Sequence, residues 1–410
     1  MAVMISKQDI LDKYLSHCDK NPSHKNAMLV KYLEKQVAVQ VDEERKVQQN
    51  EGEYEESMRF DIIMRGNDPL NFSSRINNEQ LIPLVNVIEE NAILIQYIDL
   101  SYNHISDAGA ITLSRILKPA IELKTLNLQS NNISSEGTEA LCVSLKDHQS
   151  LQYINLNGNS IKTRGAISLV ELLFSSLNIL ELDLGNNYID HDGIIAITTA
   201  LNRARLSLEV LNLENPKLNS VMQETVVHFG KMLSINTNLK KLSLRKMKLR
   251  CDGIFTLTNH LMENSRLRVL DLSCNEISAD GAEYISRYLK GEECKLESLI
   301  MAVNRVVDIG AKFIAQALAV NRSLIHVDLT TNRIGDEGLS RISESLFHNQ
   351  VLMSFKLFGN NFAQQSLRLF HRLFKTERDF KYYADFETYE VDDQVLMTYV
   401  DQRIPNDVTL

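Results

Sequence analysis

The amino-acid sequence predicts an α/β solenoid of horseshoe form, with parallel strands on the concave face and helices on the convex face. Two observations lead to this prediction. The pattern L-x-x-L-x-L-x-x-N-x-L, with Ile, Val or Met in place of some leucines, can be read ten times in the 410-residue chain. A glycine also follows six residues after most members of the asparagine column, at Gly109, Gly137, Gly165, Gly193, Gly253, Gly281, Gly310 and Gly338.

The asparagine column sets the period of the repeat. Its members are 28 or 29 residues apart, except for one interval of 31 residues. Two members are not asparagine, so the array has an irregular part near its middle. The column consists of Asn103, Asn131, Asn159, Asn187, Pro216, Met247, Asn275, Asn304, Asn332 and Asn360.

Each repeat is predicted to form a strand, a turn and a helix. The L-x-L core alternates with period two, which is typical of a short strand with inward-facing leucines. The asparagine amide can satisfy backbone groups of adjacent turns and thereby form a ladder along the array. The stretch after the glycine, for example GTEALCVSLKD, has helical spacing. One such unit cannot bury its apolar face alone, so the repeats must stack.

The repeat resembles the leucine-rich repeats of the ribonuclease-inhibitor subfamily, over residues 60–375. That group includes ribonuclease inhibitor, the Ran GTPase-activating protein, tropomodulin-type caps and NOD-like receptors. The motif is specific for the fold and not for a function. The glycines, as part of this repeat, are expected to be turn residues rather than a phosphate-binding loop.

A narrower resemblance is to a family of leucine-rich repeat proteins of animals and ciliated eukaryotes. It rests on the irregular repeat LNLENPKL…ETVVHFGKML and on LDLSCNEISADG. This resemblance implies a cytoplasmic or nuclear factor that belongs to a larger assembly, such as the axoneme of a cilium or flagellum. A nucleolar assembly factor is the alternative that it leaves open.

The irregular repeat has Pro216 in the asparagine column. Proline has no backbone N–H and no amide side chain, so it cannot form the ladder bonds. Asn215 could take that role by a slip of one residue, which would restore a spacing of 28 from Asn187. We expect a local change of turn shape or curvature here, not a domain boundary.

Residues 1–57 are predicted to form a helical N-terminal cap followed by a charged linker. Ser6 and Asp9 have the spacing of a capping box at the start of the first helix. The alternative interpretation is an amphipathic element that docks on a partner. The repeat array follows over 58–375, and FDIIMRGNDPL at its start is interpreted as a leading half-repeat.

Residues 376–410 form an acidic, aromatic tail. Its segments TYEV and VLMTYV flank DDQ, which predicts a hairpin. The tail is expected either to cap the last repeat or to dock on another protein. In the second case, Tyr382, Tyr383 and Tyr389 are candidate anchors, because aromatic side chains with a charged rim are typical of interfaces.

Composition limits the environment and the partners. The net charge of −9 argues against broad nucleic-acid binding, which requires clustered cations. Five scattered cysteines without a CxxC pair favour reduced thiols in the cytosol or nucleus. The start of the chain lacks the apolar segment of a secretory signal, and no apolar run approaches the ~20 residues that span a bilayer. We therefore expect no membrane partner.

No catalytic, metal-binding or cofactor-binding residues are predicted. The ten histidines have no metal-ligand spacing, and the HExxH, GxxxxGKS and GxSxG motifs are absent. His326 lies beside Asp328 on the predicted concave face, and we interpret it as a surface histidine because no nucleophile accompanies it. We expect no cofactor and no small-molecule substrate.

The predicted concave face is polar with an acidic bias, which suits a protein partner. Candidate contact residues there are Glu214, Asp271, His326, Asp328 and Phe358. A solvated sheet face without a partner is the alternative.

A cluster of cations follows the irregular repeat, in LKKLSLRKMKLR. It adds the candidate contact residues Lys241, Arg245, Lys246, Lys248 and Arg250, of which the last three are predicted to lie in a turn beyond the reach of internal partners. They suit an acidic partner. Internal charge balance, with Glu214 facing Arg245, and a phosphate or RNA contact are the alternatives.

These observations predict a non-catalytic scaffold or adaptor that binds other proteins, among them axonemal or cytoskeletal ones. Regulation of a small GTPase, by analogy with the Ran activator, is the alternative from another class, although no catalytic residues can be matched one by one. Ribonuclease inhibition is disfavoured because the resemblance would imply many cysteines.

Overall fold

The structure is a computed structural model and describes residues 6–47, 60–67, 74–89, 92, 95–203, 206–218, 223–376 and 383–401. The chain divides into two compact units. The first consists of Met1–Ile197 with Arg205–Leu208, and the second of Thr198–Ala204 with Glu209–Leu410. The border thus falls directly before the irregular repeat.

The first unit contains five parallel strands in the order β1-β2-β3-β4-β5, each joined to the next through a helix or a helical segment. Its strands are β1 Ile62–Ile63, β2 Tyr97–Asp99, β3 Thr125–Asn127, β4 Tyr153–Asn155 and β5 Glu181–Asp183. Its helices are α1 Lys7–Lys20, α2 Ala27–Val47, α3 Asn78–Ile88, α4 Asp107–Leu117, α5 Ser135–Ser144 and α6 Lys162–Ser175. Helix α7, His191–Leu201, runs across the border.

The second unit contains seven parallel strands in the order β6 to β12 and a separate antiparallel hairpin, β13–β14. The strands are β6 Val210–Asn212, β7 Lys241–Ser243, β8 Val269–Asp271, β9 Ser298–Ile300, β10 His326–Asp328, β11 Ser354–Lys356, β12 Tyr383–Ala384, β13 Phe386–Val391 and β14 Gln394–Tyr399. The helices are α8 Gln223–Ile235, α9 Arg250–Leu261, α10 Ala279–Leu289, α11 Val307–Val320, α12 Asp336–His348 and α13 Gln364–Phe374. None of the described helices combines the length and the hydropathy needed to cross a membrane.

The strands follow the predicted alternation. Leu126, Leu211, Leu242 and Leu299 are buried in the strand centres, each at most 1% exposed. Burying such a side chain contributes roughly 1.5–3 kcal/mol, so the stacked leucines supply much of the stability of each unit.

The glycine column has a different role from the predicted one. Gly137 lies inside the first turn of α5, and a Cβ there would lie 2.5 Å from Asp107 Oδ1 of the preceding repeat. Gly338 is in the same situation, with Asp308 Oδ1 at 2.6 Å. These glycines allow successive helices to approach closely, so their interpretation as turn residues is wrong.

The asparagine ladder is present in both units. In the second unit, Asn304 Oδ1 accepts from the N–H groups of Asn275 and Ile277 at 2.9 and 3.0 Å. Its Nδ2 donates to the carbonyl groups of Leu272 and Met301 at 3.1 and 2.9 Å. One buried amide therefore satisfies backbone groups of two successive repeats, as the repeat pattern predicts.

The ladder is interrupted at the irregular repeat. The residue before each ladder position has a left-handed backbone, for example Ser130 with φ 52° and Cys274 with φ 59°. Asn215 has φ 52° and is exposed, so it occupies this preceding position and Pro216 occupies the ladder position. The proposed slip to Asn215 is wrong, because the backbone keeps the register of the other repeats.

The N-terminal helices pack on the start of the first sheet's repeats. The capping box forms, since Asp9 N–H donates to Ser6 Oγ and Ser6 N–H donates to Asp9 Oδ2. Asn26 Nδ2 donates to Ser74 O and to Gln80 Oε1, both at 3.0 Å, and thereby joins the N-terminal segment to α3. Residues 48–57 of the expected linker lie outside the described residues.

The C-terminal end is closed by aromatic packing and by one carboxylate. Phe386 of the hairpin contacts Phe355, Phe362, Phe370 and Phe374, with ring centroids 5.0–6.2 Å apart.

Asp385, beside Phe386, accepts from the N–H groups of Leu357 and Phe358 at 2.9 and 3.0 Å. It thus satisfies two donors that have no further repeat to pair with. Burial raises the pKa of this carboxyl, and the two N–H donors oppose that shift.

Candidate protein-binding surfaces

The parallel register arranges side chains of the strand face in columns. In the second unit, Lys241 pairs with Val210 and Val269, and Asp271 pairs with Ser243 and Ile300. Neighbouring strands lie about 4.8 Å apart, so each column is a closely spaced row of side chains. The candidate residues of the strand face therefore belong to one continuous surface within this unit.

Much of the acidic bias of that surface is used inside the turns. Asp271 Oδ1 accepts from Ser273 N–H at 2.8 Å, and Asp328 Oδ1 accepts from Thr330 N–H at 2.9 Å. The amide of Asn212 does the same for Glu214 N–H at 2.9 Å. An acceptor side chain two residues before the turn is the shared feature, and the sequence analysis missed this role.

Asp271 is a weaker contact candidate than its charge indicates. Its side chain lies in the strand face, but the residue is only 8% exposed. Burial raises the pKa of Asp271, and the negative charge of Asp328 raises it further. Asp328 is half-buried and is the more accessible carboxylate of the two.

The interpretation of His326 as a surface histidine is wrong. The residue is 1% exposed, and its Nδ1 lies 3.0 Å from Ser354 Oγ on the neighbouring strand. Burial lowers the pKa of His326 to about 4, and the charge of Lys356 adds to that shift. His326 is therefore a neutral, buried side chain at neutral pH.

Glu214 and Arg245 face each other on adjacent strands. Glu214 Oε2 lies 3.7 Å from Arg245 Nε, and both side chains are partly buried. This pair agrees with internal charge balance at these two positions. Lys241 is half-buried on the same face and also has an internal interaction.

The aromatic candidates lie at the C-terminal end. Phe358 is 37% exposed, and its ring centroid is 4.9 Å from that of Tyr399. Tyr383 and Tyr389 are 42% and 45% exposed on β12 and β13. Tyr382 lies outside the described residues.

A row of cations follows the turns that lead from strands to helices in the second unit. We name it the basic turn edge; it consists of Lys217, Lys246, Lys248, Arg250, Arg305 and Arg333, all of which are exposed. The sequence analysis found only three of these six. The others occupy the position after the ladder residue in their own repeats, so the repeat alignment could have found them.

Some of these cations have internal partners, which corrects the expectation that none would. Arg250 Nε and Arg305 Nη1 lie 3.8 and 3.9 Å from the Glu276 carboxylate. Lys248 Nζ donates to Leu218 O at 3.0 Å. Within the part of the chain that the structure describes, Lys217, Lys246 and Arg333 have no such partner.

Neither unit shows a chemical centre in its described residues. No group of three or more His, Cys, Asp or Glu side chains is placed to hold a metal ion among them. What the two units share is the repeated strand, ladder amide and helix, and these define a leucine-rich repeat protein.

The sequence comparison agrees with that class. A profile of the family described as Leucine Rich repeat matches residues 93–114, 123–142, 147–170, 263–286 and 320–343. The chain is a leucine-rich repeat protein.

Two curated relatives and one solved structure are similar to it. Leucine-rich repeat-containing protein 34 of Mus musculus is 31% identical over 205 residues, which cover 50% of this chain and 49% of that protein. NACHT, LRR and PYD domains-containing protein 14 of Mus musculus is 33% identical over 151 residues, covering 37% of this chain and 15% of the relative. An internalin of Listeria monocytogenes has a TM-score of 0.43 at 18% identity, covering 81% of this chain and 89% of that one.

The likeness to leucine-rich repeat-containing protein 34, which the irregular repeat and LDLSCNEISADG predict, is confirmed. The match spans about half the length of that protein. Leucine-rich repeat proteins generally act as protein-interaction scaffolds, and their homologues are generally non-catalytic binding proteins.

Proposed function

We propose that this chain is a non-catalytic interaction scaffold and that the basic turn edge contacts an acidic region of a partner protein. The observation that carries the proposal is the series of six exposed cations on successive turns of the second unit. Glu276 is the carboxylate among them, and it lies between Arg250 and Arg305.

The spacing of these cations suits an extended contact. They come from five successive repeats, so the row is on the order of 20 Å long if the turns follow the strand spacing. Cations in a row attract an acidic surface before contact and raise the association rate. Exposed pairs contribute only ~0–1 kcal/mol each, so several of them must act together.

An acidic protein suits this edge better than a nucleic acid. The residues directly before and after the ladder positions of the second unit include no aromatic side chain. Single-stranded nucleic acids are bound through base stacking on aromatic rings as well as through cations. The chain as a whole also carries a net charge of −9, which repels a polyphosphate.

The test uses a fluorescent polyglutamate peptide as the probe of acidic polypeptide. The variant Lys217→Glu/Lys246→Glu/Arg333→Glu reverses the three cations without an ion pair, so that no internal pair is broken. We expect it to weaken binding at least about tenfold, and we expect binding by the wild type to fall steeply as salt is added. Fluorescence anisotropy measures both effects.

The matched control is Lys231→Glu/Arg266→Glu/Arg322→Glu. It changes three exposed cations of the same unit and alters the net charge by the same amount. Equal loss of binding in both variants would show a non-specific charge effect and contradict the proposal. Tighter binding of single-stranded DNA than of polyglutamate would favour the nucleic-acid alternative.

The finer proposal places this scaffold in the axoneme of a cilium or flagellum, with cytoskeletal proteins as partners. Its support is the likeness to leucine-rich repeat-containing protein 34, together with the irregular repeat that carries the resemblance. A fluorescently tagged chain in ciliated cells of its own organism should be found along the axoneme. A signal restricted to the nucleolus would replace this proposal with the nucleolar one.

A further inference from the structure

The C-terminal hairpin has a defined register. Phe386 pairs with Tyr399 at one end, and Val391 pairs with Gln394 at the other. Asp392 and Asp393 between the strands have φ values of 49° and 61°, as a type I′ turn requires. In such a two-residue hairpin, Val391 and Gln394 are a hydrogen-bonded pair, and the following pairs alternate.

The alternation shows which backbone groups face outward. Val395 N–H donates to Gln364 Oε1 at 3.2 Å, and Val395 O accepts from Gln364 Nε2 at 2.9 Å. Val395 and its partner Glu390 therefore do not bond to each other. The bond from Val400 N–H to Asp385 O at 3.0 Å has the same phase at the other end.

It follows that Phe386, Thr388 and Glu390 direct their N–H and C=O groups away from β14. None of these groups has a backbone hydrogen bond in the described part of the chain. By contrast, α13 covers the opposite edge at Val395 through the Gln364 side chain. The outer edge of β13 is therefore open, which makes it a template for another strand.

The hairpin is held in place, so this edge is preorganised. Phe386 is buried in the aromatic cluster, and Thr388 Oγ1 lies 3.0 Å from His371 Nδ1 on α13. The opposite face presents Tyr389, Val391 and Leu396, which are 45%, 47% and 37% exposed. An added strand would extend this apolar face and cover part of it.

We propose that the outer edge of β13 binds an extended, basic segment of another protein by strand addition. Residues 383–401 contain six acidic side chains and no Lys or Arg, and five of the six are exposed. Two copies of this chain would bring these carboxylates together, and like charges across a strand pair are destabilising. The occupant that the charges select is a strand that carries Lys or Arg.

This surface lies outside the proposed function, because its charge is opposite to that of the basic turn edge. Main-chain hydrogen bonds would supply the affinity, and the acidic rim would supply the preference for cations. Failure at one surface therefore leaves the other untouched.

The probe is a synthetic peptide of alternating lysine and valine residues, added to the full chain. Its matched controls are the same peptide with N-methyl groups on alternate amides, which blocks strand pairing, and a glutamate–valine peptide. We expect only the unmodified lysine–valine peptide to bind.

Hydrogen exchange of single amides, followed by NMR, provides a readout that needs no variant. The amides of Thr388 and Glu390 should exchange rapidly in the free chain and at least about tenfold more slowly with the peptide. The amides of Tyr389 and Val391 bond to β14, so they should be protected in both states. Absence of new protection at Thr388 and Glu390 overturns the proposal.

A pair of variants separates the backbone from the side chain. Thr388→Pro removes one outward N–H and should weaken peptide binding at least about tenfold. Thr388→Val keeps that N–H, loses the hydroxyl contact with His371, and should bind within about twofold of the wild type. Equal binding by both variants, or protection that depends on chain concentration without peptide, would contradict strand addition by a basic partner.

Discussion

The second unit contains a regular and an irregular stretch of the same repeat. In the regular stretch, Asn304 bonds to backbone groups of two repeats, whereas in the irregular stretch Pro216 and Met247 make no amide bonds. Leu211 and Leu242 of the irregular repeats are nevertheless fully buried, and Met247 is 1% exposed in the ladder position. Leucine packing can therefore stack two repeats without the ladder.

The difference also concerns where the surface charge lies. The turns without ladder amides carry Lys217, Lys246 and Lys248, half of the basic turn edge. A turn that does not depend on a buried amide is a place where a binding surface can change at low cost in stability.

The largest effect is expected for the loss of a ladder amide. Asn304→Ala removes two acceptor and two main donor bonds and leaves backbone groups buried without partners. Each such group costs about 1–3 kcal/mol, so we expect a loss of at least ~3 kcal/mol in the free energy of unfolding. Urea unfolding measures it. The control Asn361→Ala changes an exposed asparagine and should cost less than about 0.5 kcal/mol.

Acid should act on the regular stretch through His326. Its pKa is about 4 in the folded chain and near 6.5 when unfolded, so the unfolded state binds more protons between these values. Stability is complete above pH ~6.5 and falls as the pH drops towards 4, by about 3 kcal/mol from this group. The raised pKa of Asp271 opposes this loss at the acid end.

Urea unfolding at neutral and mildly acidic pH should show this loss, and His326→Gln should reduce it. The control His104→Gln changes an exposed histidine and should keep the wild-type pH dependence. An unchanged pH dependence in His326→Gln would show that other groups cause the acid sensitivity.

The smallest effect is expected for restoring an amide in the irregular stretch. Met247→Asn offers new ladder bonds but removes a buried thioether side chain, and these terms are of similar size. We expect a net change below about 1 kcal/mol in the free energy of unfolding. A change above ~2 kcal/mol in either direction would contradict the view that packing and ladder are interchangeable here.

The repeat fold could be predicted from the sequence because it is written many times. The ladder position of Asn304 and the inward leucines of each strand follow from period alone. The slip at Asn215 could not be excluded in this way, since both alignments are equal in sequence and only the left-handed backbone distinguishes them.

The binding surfaces were less predictable because they depend on neighbours outside the local motif. Alternation places His326 on the strand face, but it does not show that Ser354 and Lys356 enclose it. The open edge of β13 depends on Gln364, which covers the other edge and lies in another element. Asp385 belongs to the tail, where no repeat pattern identifies its role as a terminal acceptor.

The turn acceptors of the strand face have a consequence for how such a protein diverges. Asp99, Asn127, Asp183 and Asn212 each accept a turn N–H through Oδ1, whether the second group is a carboxylate oxygen or an amide nitrogen. Exchange of Asp for Asn keeps this acceptor and changes the charge by one. A lineage can thus retune the electrostatic pattern of the strand face by single-nucleotide substitutions while the backbone beneath it stays the same.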